Sequence, residues 1–310
     1  MSSMDAKNKL SPYAHAVAGL GAGMIATITT YPLDLIKTRF QVQTKWKNAT
    51  IMPTSTPPTQ ANIRYRSLAQ ALATVARTEG LAGLYAGFSP NLVGSGASWG
   101  LYFFFYNKIK RSLAGAERKE LSAGMHLLAG AVAGVLVSTA TNPIWVIKTR
   151  MQTQAYGDKD NYKGLMDGLW RLWREEGIRG LYRGYIPALF GVSHGAVQFM
   201  AYEELRKVWT EHLRTHNGDV QMGSLHYMAM GAGSKVFASV VTYPYQVIKS
   251  RLQQKGSQYN GVMHCIKDTM KKEGTAGFFR GIVPNVLKVL PGAAITFMAY
   301  ENIAKLLHHL

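Results

Sequence analysis

One nine-residue segment occurs three times in this chain of 310 residues, with a different chemistry at a single position. The copies are YPLDLIKTR (31–39), NPIWVIKTR (142–150) and YPYQVIKSR (243–251). Two residues after each proline stand Asp34, Trp145 and Gln246. A carboxylate can form an ion pair, an amide can only hydrogen-bond, and an indole can hold a cation against its ring. The repeated segment therefore predicts three basic sites of similar geometry whose partners differ in chemistry.

Two lysines stand inside segments that otherwise lack charged residues. Lys235 interrupts residues 220–248, and Lys288 interrupts residues 281–300. A lysine provides a compact point charge for a phosphate or carboxylate, and inside a membrane it is a functional candidate by default. The alternative is a side chain that extends its ammonium group to the membrane interface. We expect both lysines to bind an anion.

Long charge-free stretches provide the elements that would position these residues. Asp, Glu, Lys and Arg are absent from residues 10–33, 80–107, 121–147 and 184–202. A membrane-spanning helix needs about 20 largely apolar residues, so these four and the two lysine-containing segments predict six spans. The alternative is six buried helices of a soluble all-α protein.

Repeated spacings organise the spans into three units. The prolines Pro32, Pro143 and Pro244 are 111 and 101 residues apart, and a second motif, Glu-Gly followed by a glycine-rich turn, recurs twice at intervals of 97. Two spans per unit keep the copies parallel around an axis along the membrane normal. The sequence thus predicts an all-α membrane protein in which six transmembrane helices form three tandem pseudo-threefold repeats. We expect a single domain over residues 1–310, with repeats at 11–115, 121–213 and 222–310.

Composition restricts the class of function. The chain has 35 Lys and Arg against 17 Asp and Glu, a formal net charge of +18, which suits nucleic acid, acidic lipids or small anions. The basic residues follow the span ends rather than covering a soluble face, which argues against a nucleic-acid partner. No nucleophile, phosphate-loop or metal-ligand motif is present, so we expect no enzyme activity, no catalytic cofactor and no metal site. A passive channel remains an alternative.

Positions where the repeats differ are candidates for substrate contact, because a substrate lacks threefold symmetry. Four residues after later prolines stand Gly94, Gly191 and Lys288, and Lys235 replaces a glycine found in the other two copies. Trp99 stands where the other repeats have small residues. His194 and Gln198 are four residues apart on one helix face, and ordinary interhelical hydrogen bonding is their alternative role.

The complete pattern resembles the mitochondrial carrier family. The motif P-x-[DE]-x-x-[KR]-x-[KR], followed by [DE]-G-x-x-x-x-[WYF]-[KR]-G, recurs three times over the chain, with Ala86, Trp145 and Gln246 as departures. This resemblance implies short matrix helices around 65–79, 161–176 and 258–273, and alternating access through one central site. It also implies a monomer in the mitochondrial inner membrane, with both termini facing the intermembrane space and with acidic lipids, cardiolipin above all, as partners.

The resemblance assigns two gates to the motif residues. In the family, the acid of one odd-numbered span pairs with the base of the next, so we expect Asp34 with Lys148, Gln246 with Lys37, and Trp145 with Lys249. These six residues are called the matrix gate. The cytoplasmic gate comprises Lys110, Glu203, Arg206 and Glu301, with Glu301 expected to pair with Lys110. The family's glutamine braces correspond to Gln41, Gln152 and Gln253.

The expected substrate is a bulky anion with a flat ring. Family contact points fall near Gly94, Gly191 with Val192, and Lys288, while Trp99 could stack on a heterocycle. The segments SWGLYFFFYN and SHGAVQFMAYE resemble the branch that carries folate and FAD. Either cofactor fits these residues. Carriers of NAD or of pyrimidine nucleotides are the alternative within the family.

Overall fold

A computed structural model describes residues 12–43, 65–114, 122–154, 157–158, 160–217 and 223–308. Both chain termini lie outside these ranges, as do the expected repeat bounds at 11, 115, 121, 222 and 310. Residues 45–62, which the sequence predicts to be a flexible loop, also lie outside them. The described ranges contain helices and turns and no strand.

Each repeat contains two long helical segments with a shorter helix between them. The first has α1 (Pro12–Val42), α2 (Leu68–Thr78), α3 (Gly80–Gly83) and α4 (Phe88–Ala114). The second has α5 (Ala123–Thr153), α6 (Leu165–Leu181), α7 (Tyr185–Leu189) and α8 (Val192–Asn217). The third has α9 (Ser224–Val241), α10 (Tyr243–Gln253), α11 (Val262–Glu273), a 3₁₀ turn (Thr275–Phe279) and α12 (Ile282–His308). Helices α2, α6 and α11 lie where the family resemblance implies the matrix helices.

The motif prolines affect the three repeats differently. Helices α1 and α5 continue through Pro32 and Pro143. In the third repeat the helix is interrupted at Thr242, and Pro244 opens α10. A proline near a helix start costs little, since the first N–H groups have no partner within the helix. The third repeat therefore has two separate helices where the first and second repeats each have one continuous helix.

Each repeat has its own small core where the matrix helix packs on the end of the preceding long helix. Leu35, Ile36 and Val75 are fully buried in the first of these clusters. Ile147 and Leu172 occupy corresponding places in the second. Such packing joins the motif segment to the matrix helix of the same repeat, so each repeat is built as a unit.

Large apolar side chains are exposed on all the long helical segments. Examples are Leu20, Phe104, Leu127, Phe199, Phe237 and Met298. Exposed apolar surface of this extent marks a surface covered by lipid or by another protein. Two helical stretches, Gly124–Thr153 and Thr275–Leu306, are long and apolar enough to cross a membrane by length and composition. The Gly, Ala, Ser and Thr residues of the other spans lower their mean hydropathy.

Candidate functional site

The matrix gate is assembled where the motif segments of α1, α5 and α10 meet. Lys148 donates to Oδ2 of Asp34 at 2.7 Å, and Lys37 donates to Oε1 of Gln246 at 3.0 Å. Both contacts join different repeats and are the ones expected from the resemblance. The gate side chains are partly buried, which places their charges where water screens them little.

Trp145 lies between two gate lysines. The Nζ atom of Lys148 is 5.5 Å from a Trp145 ring centroid, and that of Lys249 is 5.9 Å away. The indole N–H donates to Thr141 at 3.2 Å, which fixes the ring. The expected contact with Lys249 is present, and the structure adds Lys148. An aromatic face therefore partly replaces the missing carboxylate in the second repeat.

Gly94 makes room for this indole. A Cβ atom at residue 94 would lie 3.1 Å from Ile144 and 3.4 Å from the ring of Trp145. The first distance is tighter than ordinary carbon contacts, so a Cβ atom would press on Ile144, while the ring of Trp145 lies in van der Waals contact with the same position. Gly94 was predicted as a substrate contact, and in this conformation it packs against the matrix gate.

A cavity of about 300 Å³ lies at the level of the gate. Its walls include the matrix-gate residues Asp34, Lys37, Trp145, Lys148, Gln246 and Lys249, together with the three predicted braces. Gly191 also lines it, next to Ala188 and Tyr245. Three lysines and one carboxylate face this space, so its walls are net positive and suit an anion.

A layer of buried arginines lies one helical half-turn beyond the gate lysines. Arg39, Arg150 and Arg251 are 3%, 0% and 1% exposed. They pair with Glu79, Glu176 and Glu273 of their own repeats at 2.5, 2.6 and 2.8 Å. We call these six residues the arginine layer. Its ion pairs stay within each repeat, whereas the gate contacts cross between repeats.

The arginine layer also reaches across the repeats through its Nε atoms. Arg39 donates to the carbonyl of Gln152, Arg150 to that of Gln253, and Arg251 to that of Gln41. The distances are 3.0, 3.2 and 3.0 Å. A closed ring of equivalent hydrogen bonds results, with the threefold symmetry that the repeats predict.

Second basic residues strengthen this layer in two repeats. Arg183 lies 3.1 Å from Glu176, and Arg280 lies 2.6 Å from Glu273. Burial acts to raise the pKa of the Glu176 carboxyl, but Arg150 and Arg183 hold that pKa below its ordinary value. In the first repeat the corresponding position is occupied by Ala86, so Glu79 lacks this second arginine.

The glutamine braces make polar contacts with serine, threonine and tyrosine hydroxyls. Gln152 donates to the hydroxyl of Tyr31 at 3.1 Å and to Asp34 at 3.3 Å. Thr149 donates to Gln253 at 2.9 Å. Ser250 donates to Gln41 at 2.7 Å.

Sequence reasoning missed the two hydroxyl donors, Thr149 and Ser250. Both stand between the lysine and the arginine of the repeated segment. The signal available in the sequence was that a hydroxyl residue stands at this position in all three copies of the segment.

Glycines with positive φ bring successive repeats close together. Gly87, Gly184 and Gly281 have φ of 77°, 69° and 82°, a region that other residues rarely adopt. Cβ atoms there would lie 3.0, 3.1 and 2.8 Å from the carbonyl oxygens of Lys148, Lys249 and Lys37. The turn that follows each matrix helix therefore presses against the gate lysine of another repeat.

The structure places Lys288 beside the gate. Its ammonium group is 2.9 Å from Oδ1 of Asp34. Lys235, the other predicted lysine, is exposed on α9, and it does not line the gate cavity.

The other predicted substrate residues are spread over the helices. His194 pairs with the hydroxyl of Thr242 at 2.8 Å, an interhelical hydrogen bond. Val192 packs close to Gly134, and Gln198 is partly buried on α8. Trp99 is 64% exposed and stacks on Phe103 with ring centroids 5.9 Å apart. It is not among the residues that line the gate cavity.

The expected pair across the cytoplasmic gate is not formed. Lys110 and Glu301 are both exposed, and no ion pair joins them within the described ranges. Glu203 lies 3.9 Å from Arg206 of its own helix. The Glu301–Lys110 contact therefore stays a prediction for the conformation in which the cytoplasmic gate is closed. In the present structure the motif segments of α1, α5 and α10 meet at the matrix gate.

No group of three or more His, Cys, Asp or Glu side chains that could hold a metal occurs among the described residues.

The mitochondrial carrier protein family model matches this chain three times, over residues 8–117, 119–213 and 220–310. Folate transporter 1, chloroplastic, of Arabidopsis thaliana is 44% identical over 95% of this chain and 96% of its own length. Nicotinamide adenine dinucleotide transporter 1, chloroplastic, of the same plant is 38% identical over 97% and 94%. The mitochondrial FAD carrier protein of Saccharomyces cerevisiae is 30% identical over 93% and 94%.

These matches confirm the predicted all-α membrane fold with three repeats, and a transporter rather than an enzyme. The chain belongs to the mitochondrial carrier family.

Proposed function

We propose that this carrier moves a bulky anionic aromatic cofactor, FAD or folate, across the mitochondrial inner membrane by alternating access through one central site. The observation that carries this proposal is an excess of cationic groups around one carboxylate. Lys37, Lys148 and Lys249 line the gate cavity with Asp34, and Lys288 lies beside them. Four lysines against one aspartate leave three uncompensated positive charges.

Such a charge excess favours a substrate with about two negative charges. Folate provides two carboxylates on its glutamate, and FAD provides a pyrophosphate. Unpaired cations in a poorly hydrated site are unfavourable, so a dianion lowers the free energy of the site when it enters. The relatives named as folate and FAD carriers support this class of substrate.

Carriage of NAD is the second candidate, because two relatives named as NAD transporters are each 38% identical to this chain. The nicotinamide ring of NAD is itself cationic and offsets part of the pyrophosphate charge. A site with three uncompensated lysines should therefore favour FAD or folate over NAD. Pyrimidine nucleotides remain the alternative that the sequence also left open.

The gate assignments form part of the proposal. The matrix gate is closed in this structure through Asp34, Lys148 and Trp145, while Lys110 and Glu301 of the cytoplasmic gate are apart. We assign this conformation to the carrier that is open toward the intermembrane space and ready to accept substrate. Gln41, Gln152 and Gln253 would strengthen the closed gate by bracing it.

Membership of the family supports a proposal for the setting. We place the carrier as a monomer in the mitochondrial inner membrane, with both termini in the intermembrane space. Acidic lipids, cardiolipin in particular, are the proposed membrane partners. Several relatives bear chloroplastic names, so organelle import of the tagged chain is the experiment that tests this location.

Uptake by purified protein in liposomes tests the substrate. We expect saturable uptake of radiolabelled FAD or folate, and weaker inhibition of that uptake by NAD and by pyrimidine nucleotides. Preloading the liposomes with unlabelled substrate should accelerate uptake if the carrier exchanges substrates, and a passive pore would show no such dependence. Equal or stronger uptake of NAD would reject the preference for a dianion.

A further inference from the structure

Asp34 is bound by lysines from both of the other repeats. Lys148, from the second repeat, donates to Oδ2 at 2.7 Å. Lys288, from the third repeat, donates to Oδ1 at 2.9 Å. Asp34 itself belongs to the first repeat, so this one carboxylate links all three repeats at the closed gate.

The two lysines differ in their access to solvent. The side chain of Lys148 is 14% exposed, equal to that of Asp34, whereas the side chain of Lys288 is 36% exposed. Lys148 belongs to the repeated motif of α5, but Lys288 lies on α12, at a position where the other repeats have glycine. An anion that enters the site would therefore meet the ammonium group of Lys288 before that of Lys148.

We infer that Lys288 is a member of the matrix gate that the substrate releases. In the empty carrier, Asp34 neutralises Lys288, and the substrate's carboxylate or phosphate replaces Asp34 as the partner of that lysine. Asp34 then holds only Lys148, so the closed gate loses one of its two ion pairs. This inference rests on the proposed function, because it requires an anionic substrate.

The release would couple binding to gate opening. A ligand shifts a conformational equilibrium only by its difference in affinity for the two states. An anionic substrate binds Lys288 when that lysine leaves Asp34. Substrate binding therefore favours the state in which the matrix gate has lost one ion pair. A neutral flat ring can occupy the same site without competing for the lysine. The anionic group of the substrate would therefore be required for gate opening, in addition to its contribution to binding affinity.

The chain offers a matched control for Lys288. Lys235 is also a lysine inside an otherwise charge-free span, but it is exposed and forms no ion pair with any described residue. Substituting Lys235→Gln removes one positive charge from the same membrane region without removing a ligand of Asp34. In the ligand-free cycle, any effect specific to Lys288→Gln then reflects its place beside Asp34.

A double-mutant cycle on the thermal unfolding of the purified full chain tests the inference. The variants are Asp34→Asn, Lys288→Gln and the double variant, with Lys235→Gln in parallel. Without ligand, Lys288→Gln should lower the Tm by about 2–4 °C in the wild type, and should lower it little further once Asp34→Asn is present. Lys235→Gln should behave additively with Asp34→Asn.

The cycle is then repeated with saturating FAD, folate or riboflavin, the last being a flavin without a phosphate. Binding of FAD or folate should abolish the coupling between residues 34 and 288, whereas riboflavin should leave it intact. Additive effects without ligand would overturn the inference. Coupling that persists when an anion binds would also overturn it. If neither FAD nor folate binds, the proposed function is rejected. The role of Lys288 as a gate residue released by the substrate is then rejected with it.

Discussion

The matrix gate and the arginine layer stand only two residues apart in each repeated segment, yet they follow different rules. The arginine layer is symmetric: Arg39, Arg150 and Arg251 each bind a glutamate of the same repeat. The gate is asymmetric, with Asp34, Trp145 and Gln246 at equivalent places. The symmetric ion pairs hold each repeat together. The asymmetric gate contacts join the repeats around the site, alongside the symmetric Nε hydrogen bonds of the arginine layer.

The difference separates structural from functional roles for the basic residues. A buried ion pair within one repeat need not change when the repeats move relative to one another. A contact between repeats must break for the gate to open. We therefore expect substitutions in the arginine layer to affect folding most and substitutions in the matrix gate to affect transport most.

The largest expected effect is on folding, from Arg150→Ala. This fully buried arginine binds Glu176, the hydroxyl of Tyr162 and the carbonyl of Gln253. Removing one partner of a buried ion pair costs about 3–5 kcal/mol. Thermal unfolding in detergent should show loss of most of the folded protein or a large fall in Tm.

Arg179→Ala is the matched control for Arg150→Ala, because Arg179 is exposed on the same matrix helix, α6, that carries Glu176. Its Tm should stay close to that of the wild type. A normal Tm for Arg150→Ala would show that the arginine layer does not maintain the repeats.

Asp34→Asn should affect transport more than stability. It removes the anionic partner of both Lys148 and Lys288, so the closed gate loses its two ion pairs. Substrate uptake by proteoliposomes should fall by about tenfold or more, which corresponds to at least ~1.4 kcal/mol. Glu204→Gln, which removes an exposed ion pair on α8, should leave uptake unchanged. Wild-type uptake by Asp34→Asn would contradict the gate assignment.

Trp145→Leu should have an intermediate effect. The indole contacts Lys148 and Lys249, and cation–π contacts contribute about 0.5–2 kcal/mol each. We expect uptake to change by a few-fold, with partial recovery in Trp145→Phe, which retains a smaller aromatic face. Equal uptake by the leucine and phenylalanine variants would show that the ring face plays no part.

The smallest expected effect concerns Cys265, which is buried in the third repeat against Leu252 and Phe278. Burial raises the pKa of its thiol to about 11. At pH 8 the thiol stays protonated in the folded carrier, and since the thiolate is the reactive form, alkylation should be slow. The stability gained from the neutral thiol is complete below the unfolded pKa of about 8.5 and is lost as pH approaches 11.

The same cysteine reports on rigidity during transport. If each repeat moves as a unit, N-ethylmaleimide should label Cys265 equally slowly in proteoliposomes with and without substrate. Denatured protein provides the fully labelled control. Faster labelling during turnover would mean that the arginine layer and its core open together with the gate.

Much of this architecture follows from the sequence because repetition constrains it strongly. The spacing of Pro32, Pro143 and Pro244 predicts three units, and the charge-free stretches predict their spans. The family resemblance likewise predicts the contact of Asp34 with Lys148. Local patterns sufficed here, since equivalent residues in parallel repeats must occupy equivalent places.

Other features depend on tertiary geometry that no local pattern encodes. The sequence marks Lys288 as a substrate residue, but its approach to Asp34 depends on how α12 packs beside α1. Gly94 is likewise predicted to be a substrate contact point, whereas in the structure its lack of a side chain leaves space for Trp145. The absent Glu301–Lys110 pair reflects the conformation of the whole carrier rather than its motifs.

Returning carboxylates to the gate tests the central claim most directly, namely that asymmetry in the gate creates a site for anions. The measurement is uptake of FAD and folate by the double variant Trp145→Glu, Gln246→Glu, compared with Trp145→Gln as the neutral control. Two added carboxylates reduce the excess from three positive charges to one and complete three ion pairs. The account predicts that the double variant loses most uptake while its Tm rises, and that the neutral control retains more uptake. Full uptake of both anions by the double variant would contradict it.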